Sequence, residues 1–236
     1  MPHLHQELHQ EIELKYRFHD ANTFQRVKET AMSISQAKDF LLLKQNNYFF
    51  DTSDLILRAN SLAIRLRYEN DRFILCIKGN DPKAAKNQKS MSIKLEYEDD
   101  IPETIARQLL EQKCSPLDYL LAQSAANDSK KIRTREFLCK QISILSSNKP
   151  LQMIGSFTNQ RTCIPVAIAQ NEFLLEMDET TFKSEIIHYE VELEIPTSLH
   201  YQNAEHFLLE LFQKANAQFF ASNGKAERFY QFLTSV

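Results

Sequence analysis

The 236-residue chain is 43% hydrophobic and 25% charged, enough apolar material for a sizeable core and too much for a disordered polymer. Its 28 Lys and Arg against 31 Asp and Glu leave a formal charge of -3, which excludes a global basic field for nucleic acid or membrane. No apolar run reaches the roughly 20 residues of a membrane-spanning helix, and the start, MPHLHQELHQ, lacks the basic and apolar regions of a secretory signal, so a soluble, cytoplasmic protein is expected.

The opening stretch EIELKYRF (11–18) alternates strictly: Glu11, Glu13, Lys15 and Arg17 fall on one side of a strand, Ile12, Leu14, Tyr16 and Phe18 on the other. A helix is expected over 21–33, where Phe24, Val27, Ala31 and Met32 recur near helical spacing, with Asp20 or Asn22 as cap. A strand pattern resumes over 37–50. SLAIRLRY (61–68) and RFILCIKG (72–79) then flank a short polar turn, as a hairpin would. NDPKAAKNQK (80–89) reads as an exposed loop before the strand SMSIKLEYED (90–99).

From Pro102 to about 146 the pattern turns helical, with IARQLLEQK, PLDYLLAQSA and the ambiguous KIRTREFLCKQISIL as segments. Strands return over 151–165, 172–180 and 188–195, and helices are expected over about 200–215 and 222–234. Without a linker or repeat, the economical reading is one α+β domain, 1–236, dominated by antiparallel pairing and carrying a helical insert at about 102–146.

The three glycines, Gly79, Gly155 and Gly224, stand far apart, so neither a P-loop nor a dinucleotide fingerprint can form, and any phosphate must be held by side chains. Cys76, Cys114, Cys139 and Cys163 lack the close spacing of zinc or redox motifs and are expected to be reduced thiols packed as small hydrophobes. His3, His5 and His9 form an HxHxxxH run that could bind zinc, but it lies at the chain start without a fourth partner.

The period-two charge device recurs. Arg65 and Arg67 share one strand face; so do Lys94, Glu96 and Glu98, then Glu176 and Asp178, then Glu190, Glu192 and Glu194, while Lys78 ends a mostly apolar strand. An antiparallel sheet with one wet face accounts for each strand singly. Like charges stacked at i, i+2 and i+4 repel, however, unless cations sit among them. A closed barrel with apolar faces outward and charged faces inward resolves that conflict, its acids suited to a hard cation and its bases to phosphate.

At these positions the chain resembles the CYTH proteins, or triphosphate tunnel metalloenzymes. EIELK resembles the ExExK signature, NNYFFDTSDLILRANSLAIRLRY the aromatic-FDT segment and paired-arginine strand, ILCIKG the lysine strand, and SIKLEYE the basic-x-acidic-x-acidic strand. FTNQR, FLLEMDETTF, YEVELEI and the C-terminal SNGKAERF are similar to the later segments, so the match spans nearly the whole chain. Ser61 stands where many members have glycine, Ser53 where proline is frequent, and Lys94 where arginine is usual, which removes a bidentate fork there.

The resemblance implies a closed antiparallel β-barrel with helices outside and a charged tunnel, most like the small stand-alone tripolyphosphatase members. It implies two divalent sites for Mg²⁺ or Mn²⁺, with metal ligands among Glu11, Glu13, Glu190 and Glu192, and Glu96, Glu98, Glu176 and Asp178 as further or outer ligands. Lys15, Arg65, Arg67, Lys78, Lys94, Arg161 and Arg228 would grip phosphates, with Arg17, Lys183 and Lys225 as additional bases; Lys15, Arg65, Arg67, Lys78 and Glu192 are the expected catalytic set. The expected activity is cleavage of the terminal phosphate of inorganic triphosphate. Adenylate cyclisation, thiamine or nucleoside triphosphate hydrolysis, and a non-catalytic polyphosphate-binding module remain open, as does a monomer or homodimer.

Overall fold

The computed structural model describes residues 8–82, 90–123, 129–147 and 149–234. His3 and His5, and residues 83–89 of the expected basic loop, lie outside them.

The elements run β1 (Gln10–Phe18), α1 (Ala21–Ile34), β2 (Leu41–Asp51), α2 (Ile56–Ala59), β3 (Ala63–Glu69), β4 (Arg72–Asn80), β5 (Met91–Ile101), α3 (Glu103–Leu110), α4 (Pro116–Ala122) and α5 (Lys130–Ser146). They continue with β6 (Gln152–Ile168), β7 (Asn171–Thr181), β8 (Ile187–Glu194), α6 (Tyr201–Lys214), β9 (Phe220–Ala221) and α7 (Lys225–Thr234). The strand order is β5-β4-β3-β2-β6-β7-β8-β1-β9, and an additional β5–β1 pairing closes the first eight into an antiparallel barrel. β9 is a short addition to the edge of β1.

Two hairpins fix the registers that matter. Glu69 pairs with Arg72, leaving Asn70 and Asp71 as a two-residue turn, both at positive φ (46° and 58°), as the primed turns that match strand twist require. Ile168 pairs with Asn171 around Ala169 and Gln170, again both at positive φ. β6 therefore runs to residue 168 rather than stopping at 165, and β2 begins at 41 rather than 37.

The chain divides into two compact units. The first comprises Met1–Gln10, Asn47–Ala84 and Lys94–Ser156. Its core joins Ile64, Leu66, Leu75, Ile77 and Leu95 of the strands to Leu109, Leu120, Leu138 and Ile142 of α3, α4 and α5. Each such fully buried side chain contributes roughly 1.5–3 kcal/mol. Ser115 and Ser129 cap α4 and α5 by accepting from backbone N–H groups. α5 lies so near β4 that a Cβ on Gly79 would come within 2.6 Å of Leu138 Cδ2 and 2.8 Å of Leu62 Cδ2, which explains a glycine inside a strand.

The second unit comprises Glu11–Asn46, Ala85–Ile93 and Phe157–Val236. Leu14, Tyr16 and Phe18 of β1 pack with Ile164, Val166, Leu175, Met177, Val191 and Leu193, under Phe24, Val27 and Ala31 of α1 and Leu208, Leu211 and Phe212 of α6. Asp20 caps α1 by accepting from Thr23 N at 2.8 Å. With the apolar residues of each strand on this helix-covered face, alternation sends the charged residues to the other.

Candidate functional site

In the second unit, cross-strand pairing sets the charges in rows. Arg161 stands opposite Asp178, Asp178 opposite Glu190, and Glu190 opposite Arg17; one pair along, Glu176 stands opposite Glu192 and Glu192 opposite Lys15. Arg161 binds Asp178 bidentately, Nε to Oδ1 at 2.8 Å and Nη2 to Oδ2 at 2.7 Å, reaches Glu192 Oε2 at 2.8 Å, and pairs with Glu176. Lys15 contacts Glu13 and lies 3.1 Å from Glu192 Oε1.

The C-terminal segment adds to this wall. Lys225, the first residue of α7, places Nζ 2.7 Å from Asp178 Oδ2, 2.6 Å from Glu190 Oε1 and 2.8 Å from Glu192 Oε1. Arg228 Nη1 donates to Glu190 Oε2 at 2.8 Å and is anchored by Ser222 Oγ and the Asn223 carbonyl, while Ser222 also contacts Glu190. Glu11, on the same face of β1 as Glu13, is buried.

Burial penalises every charge here, and the neighbours decide the outcome. For Glu192 burial acts upward, but Lys15, Lys225 and Arg161 together hold it well below the usual carboxylate range. Asp178 is lowered against burial by Arg161 and Lys225. Glu176 goes the other way: burial, joined by repulsion from Asp178, Glu192 and Glu13, outweighs Arg161 and pushes it up to about 7. His188, half-buried between Phe182 and Phe232, is lowered to about 4 by burial and by Arg17 and Arg228.

In the first unit Arg65 and Arg67 both reach Glu98, Arg65 Nη2 at 3.0 Å and Arg67 Nη2 at 3.3 Å, and Lys78 Nζ lies 2.9 Å from Glu96 Oε1. Arg67 Nε also approaches Glu69 at 3.3 Å. Burial acts to raise Glu98, yet Arg65, Arg67 and Lys78 bring it down to about 2. Lys94, near the start of β5, contacts the Asn80 side chain opposite it. The arginine strand follows a loop tied to buried Asp51, which accepts from the backbone N–H groups of Thr52, Leu57 and Arg58 at 2.7, 2.9 and 3.0 Å. In that loop Ser61 takes φ 55°, the conformation for which glycine would be the easy residue.

Among the described residues, two groups of side chains offer convergent ligand atoms within 4.8 Å of one another: Asp178, Glu190 and Glu192 in the second unit, and Cys76, Glu96 and Glu98 in the first. The first-named group is all carboxylate, suits a hard divalent ion, and already holds a cation, the Lys225 ammonium. The other mixes two carboxylates with the buried Cys76 thiol, which donates to Glu96 Oε1 at 3.1 Å and is pushed well above its ordinary pKa by burial. A neutral thiol is a poor ligand for Mg²⁺.

Of the residues anticipated from sequence, Glu13, Lys15, Arg161, Glu176, Asp178, Glu190, Glu192, Lys225 and Arg228 form one connected network, and Arg65, Arg67, Lys78, Glu96 and Glu98 another. Arg17 stacks over Phe220, its guanidinium carbon 5.0 Å from the ring centroid. Lys183 is exposed on the short 3₁₀ turn Lys183–Glu185 and takes no part in the ion pairs above. Sequence reasoning passed over Cys76, Glu69 and Ser222. Cys76 had a signal, since it precedes Lys78 by two residues and so shares its strand face; Ser222 had none beyond its nearness to Lys225.

A closed barrel whose strands carry interleaved acids and bases on one face defines a class of anion- and cation-binding β-barrels. The CYTH domain profile matches residues 9–230, and the chain belongs to the CYTH family. No curated protein sequence matches it. Among solved structures, the Hippeastrum protein HpAC1, described as revealing a dominant triphosphatase activity, is 21% identical, with a TM-score of 0.74 over 94% of this chain and 96% of that one. A Bacillus halodurans protein described as a candidate adenylate cyclase is also 21% identical, with a TM-score of 0.62 over 94% and 98%. A Pyrococcus horikoshii protein is 16% identical, with a TM-score of 0.54 over 94% and 99%. At these identities the likeness is one of fold. Among the described residues no helix is long and apolar enough to cross a membrane.

Proposed function

We propose that this protein is a divalent-metal-dependent phosphohydrolase that removes the terminal phosphate of inorganic triphosphate, like the small stand-alone tripolyphosphatases of its family. The observation carrying this reading is the all-carboxylate group Asp178–Glu190–Glu192 set among Lys15, Arg161 and Arg228: acids for a metal and bases for phosphoryl oxygens in one connected cluster. Four free cysteines agree with a reducing, cytoplasmic setting.

Glu190 and Glu192, with Glu11, Glu13 and Asp178, would hold Mg²⁺ or Mn²⁺, and Glu96 and Glu98 would serve as further or outer ligands. When bound, the ion supplies Lewis-acid polarisation of phosphoryl oxygen and a more acidic water. Lys15, Arg161 and Arg228 would bind phosphoryl oxygens and neutralise charge moving to the leaving oxygen, and Arg65, Arg67, Lys78 and Lys94 are further proposed phosphate contacts. Lys183 and Lys225 complete the proposed basic set. Glu176, held near neutrality, accepts the proton of the attacking water as the new P–O bond forms; the anhydride P–O bond breaks and its electron pair leaves with pyrophosphate. No covalent enzyme intermediate is needed.

The test is product analysis with tripolyphosphate, ATP and thiamine triphosphate under Mg²⁺ and under Mn²⁺. Orthophosphate and pyrophosphate from tripolyphosphate, lost in Glu192→Gln, support the assignment. Cyclic AMP from ATP would instead make the protein a cyclase, and saturable triphosphate binding without turnover would make it a binding module.

A further inference from the structure

We propose that the Lys225 ammonium is a built-in stand-in for the divalent ion, and that metal entry releases it to the phosphate chain. The inference rests on the reading of Asp178, Glu190 and Glu192 as metal ligands. Nζ sits 2.6–2.8 Å from one oxygen of each, so the point where a cation would bridge all three is already taken. The three carboxylates are 0%, 0% and 4% exposed and their other described ion pairs are with Arg161, Arg228 and Lys15, which leaves little room for a further cation beside Lys225. An ammonium and a divalent ion a few ångströms apart in a low-dielectric site repel strongly, so their occupancies exclude one another.

Three features make Lys225 the cation that yields. Its described partners are these three acids alone, whereas Arg228 is also tied to Ser222 and Asn223, and Arg161 grips Asp178 bidentately. It stands at the first position of α7, where the helix dipole disfavours positive charge, so only the acids retain it there. Just before it, a Cβ on Gly224 would meet no atom within 4 Å, so the chain is not packed against a neighbour at the point where it would swing. A freed lysine at this end of the acid wall is a ready partner for phosphoryl oxygen. Metal and polyphosphate therefore favour each other's binding, because each takes one half of an ion pair that otherwise satisfies itself.

Titrating Mn²⁺ alone by electron paramagnetic resonance tests the exchange. Lys225→Met is expected to bind Mn²⁺ at least tenfold more tightly than wild type, and Lys225→Arg no more tightly. Lys28→Met, which removes a charge paired with Glu179 and not with the three acids, is expected to change affinity less than threefold. An unchanged or weaker affinity in Lys225→Met, or an equal gain in Lys28→Met, overturns the proposal. A second measurement needs no variant: acetic anhydride labelling of wild-type Lys225, followed by mass spectrometry, should rise severalfold on adding Mn²⁺, and labelling that Mn²⁺ leaves unchanged also overturns it. Neither readout uses turnover, so a protein that hydrolyses nothing can still satisfy both, and one that hydrolyses tripolyphosphate can still fail both.

Discussion

Replacing Arg161 by Met keeps most of the buried stem and removes the guanidinium that touches Asp178, Glu176 and Glu192. Asp178 keeps Lys225, and Glu192 keeps Lys15 and Lys225, but Glu176 loses the cation that opposes its burial. Breaking a buried pair while its partner acids remain costs roughly 3–5 kcal/mol, which for a domain of this length lowers Tm by about 10–15 °C. The loss should depend on pH in a definite direction. Glu176 already stands at about 7, and without Arg161 it rises further, so the folded variant holds a proton that the unfolded chain releases near its ordinary 4.5. Stability from such a raised group is fully present below the unfolded pKa and is lost as pH climbs through the folded one. Urea denaturation should therefore give a larger penalty at about pH 8 than at about pH 5.5, by on the order of 1–2 kcal/mol. A penalty below about 1 kcal/mol, or one equal at the two pH values, would refute the view that Arg161 neutralises buried, ionised acids.

Glu176→Gln should lower the maximal rate of triphosphate hydrolysis by roughly 10²–10⁴ and remove a rise in activity through about pH 7; a retained inflection assigns the base elsewhere. The same substitution should make the protein relatively more stable at about pH 8, since ionising Glu176 in place costs up to ~3 kcal/mol, the worth of moving its pKa from 4.5 to about 7. Asp51→Asn replaces a buried carboxylate serving three backbone N–H groups and should cost roughly 2–4 kcal/mol in urea unfolding, with Arg65 and Arg67 less well positioned and the KM for triphosphate raised. Ser61→Gly, which relieves a left-handed serine, should be neutral to stabilising by up to ~1 kcal/mol; a clear loss would mean the hydroxyl does more than fill the turn.

How much of this was legible depended on whether the signal was local. Strand parity is local, and it sorted Glu13 from Leu14 and Glu192 from Leu193 without any knowledge of the partner strands. Helix caps are local too, as Asp20 shows. The hairpin at Asn70–Asp71 announced itself because both residues tolerate positive φ, whereas Ala169–Gln170 carry no such chemistry and are held there by the long β6–β7 ladder. That is why β6 read as ending too early. The four-residue α2 and two-residue β9 are too short to show a period. Lys225 and Arg228 are the extreme case: their partner Glu190 lies 35 and 38 residues away, and nothing in a helix pattern says which acids its basic residues will meet. Only the resemblance of SNGKAERF to a family segment pointed there.

The two clusters share a property that no strand shows alone: the acids in each are answered by described cations at ion-pair distance. A wall of bare carboxylates would bind Mg²⁺ tightly but would be expensive to fold, because burying unpaired charge costs several kcal/mol per ion. A wall of bare arginines would have the matching defect toward any anion. Pairing removes both costs, and on the proposed function it would make either ligand alone compete with an internal counter-ion. A metal and a polyanion bound together would break the pairs without leaving a charge orphaned, the ion taking the carboxylates and the phosphates the bases. Under that proposal the interleaving of Glu and Lys within EIELK would act as a selectivity device, admitting a metal–polyphosphate complex while discriminating against free ion and free anion.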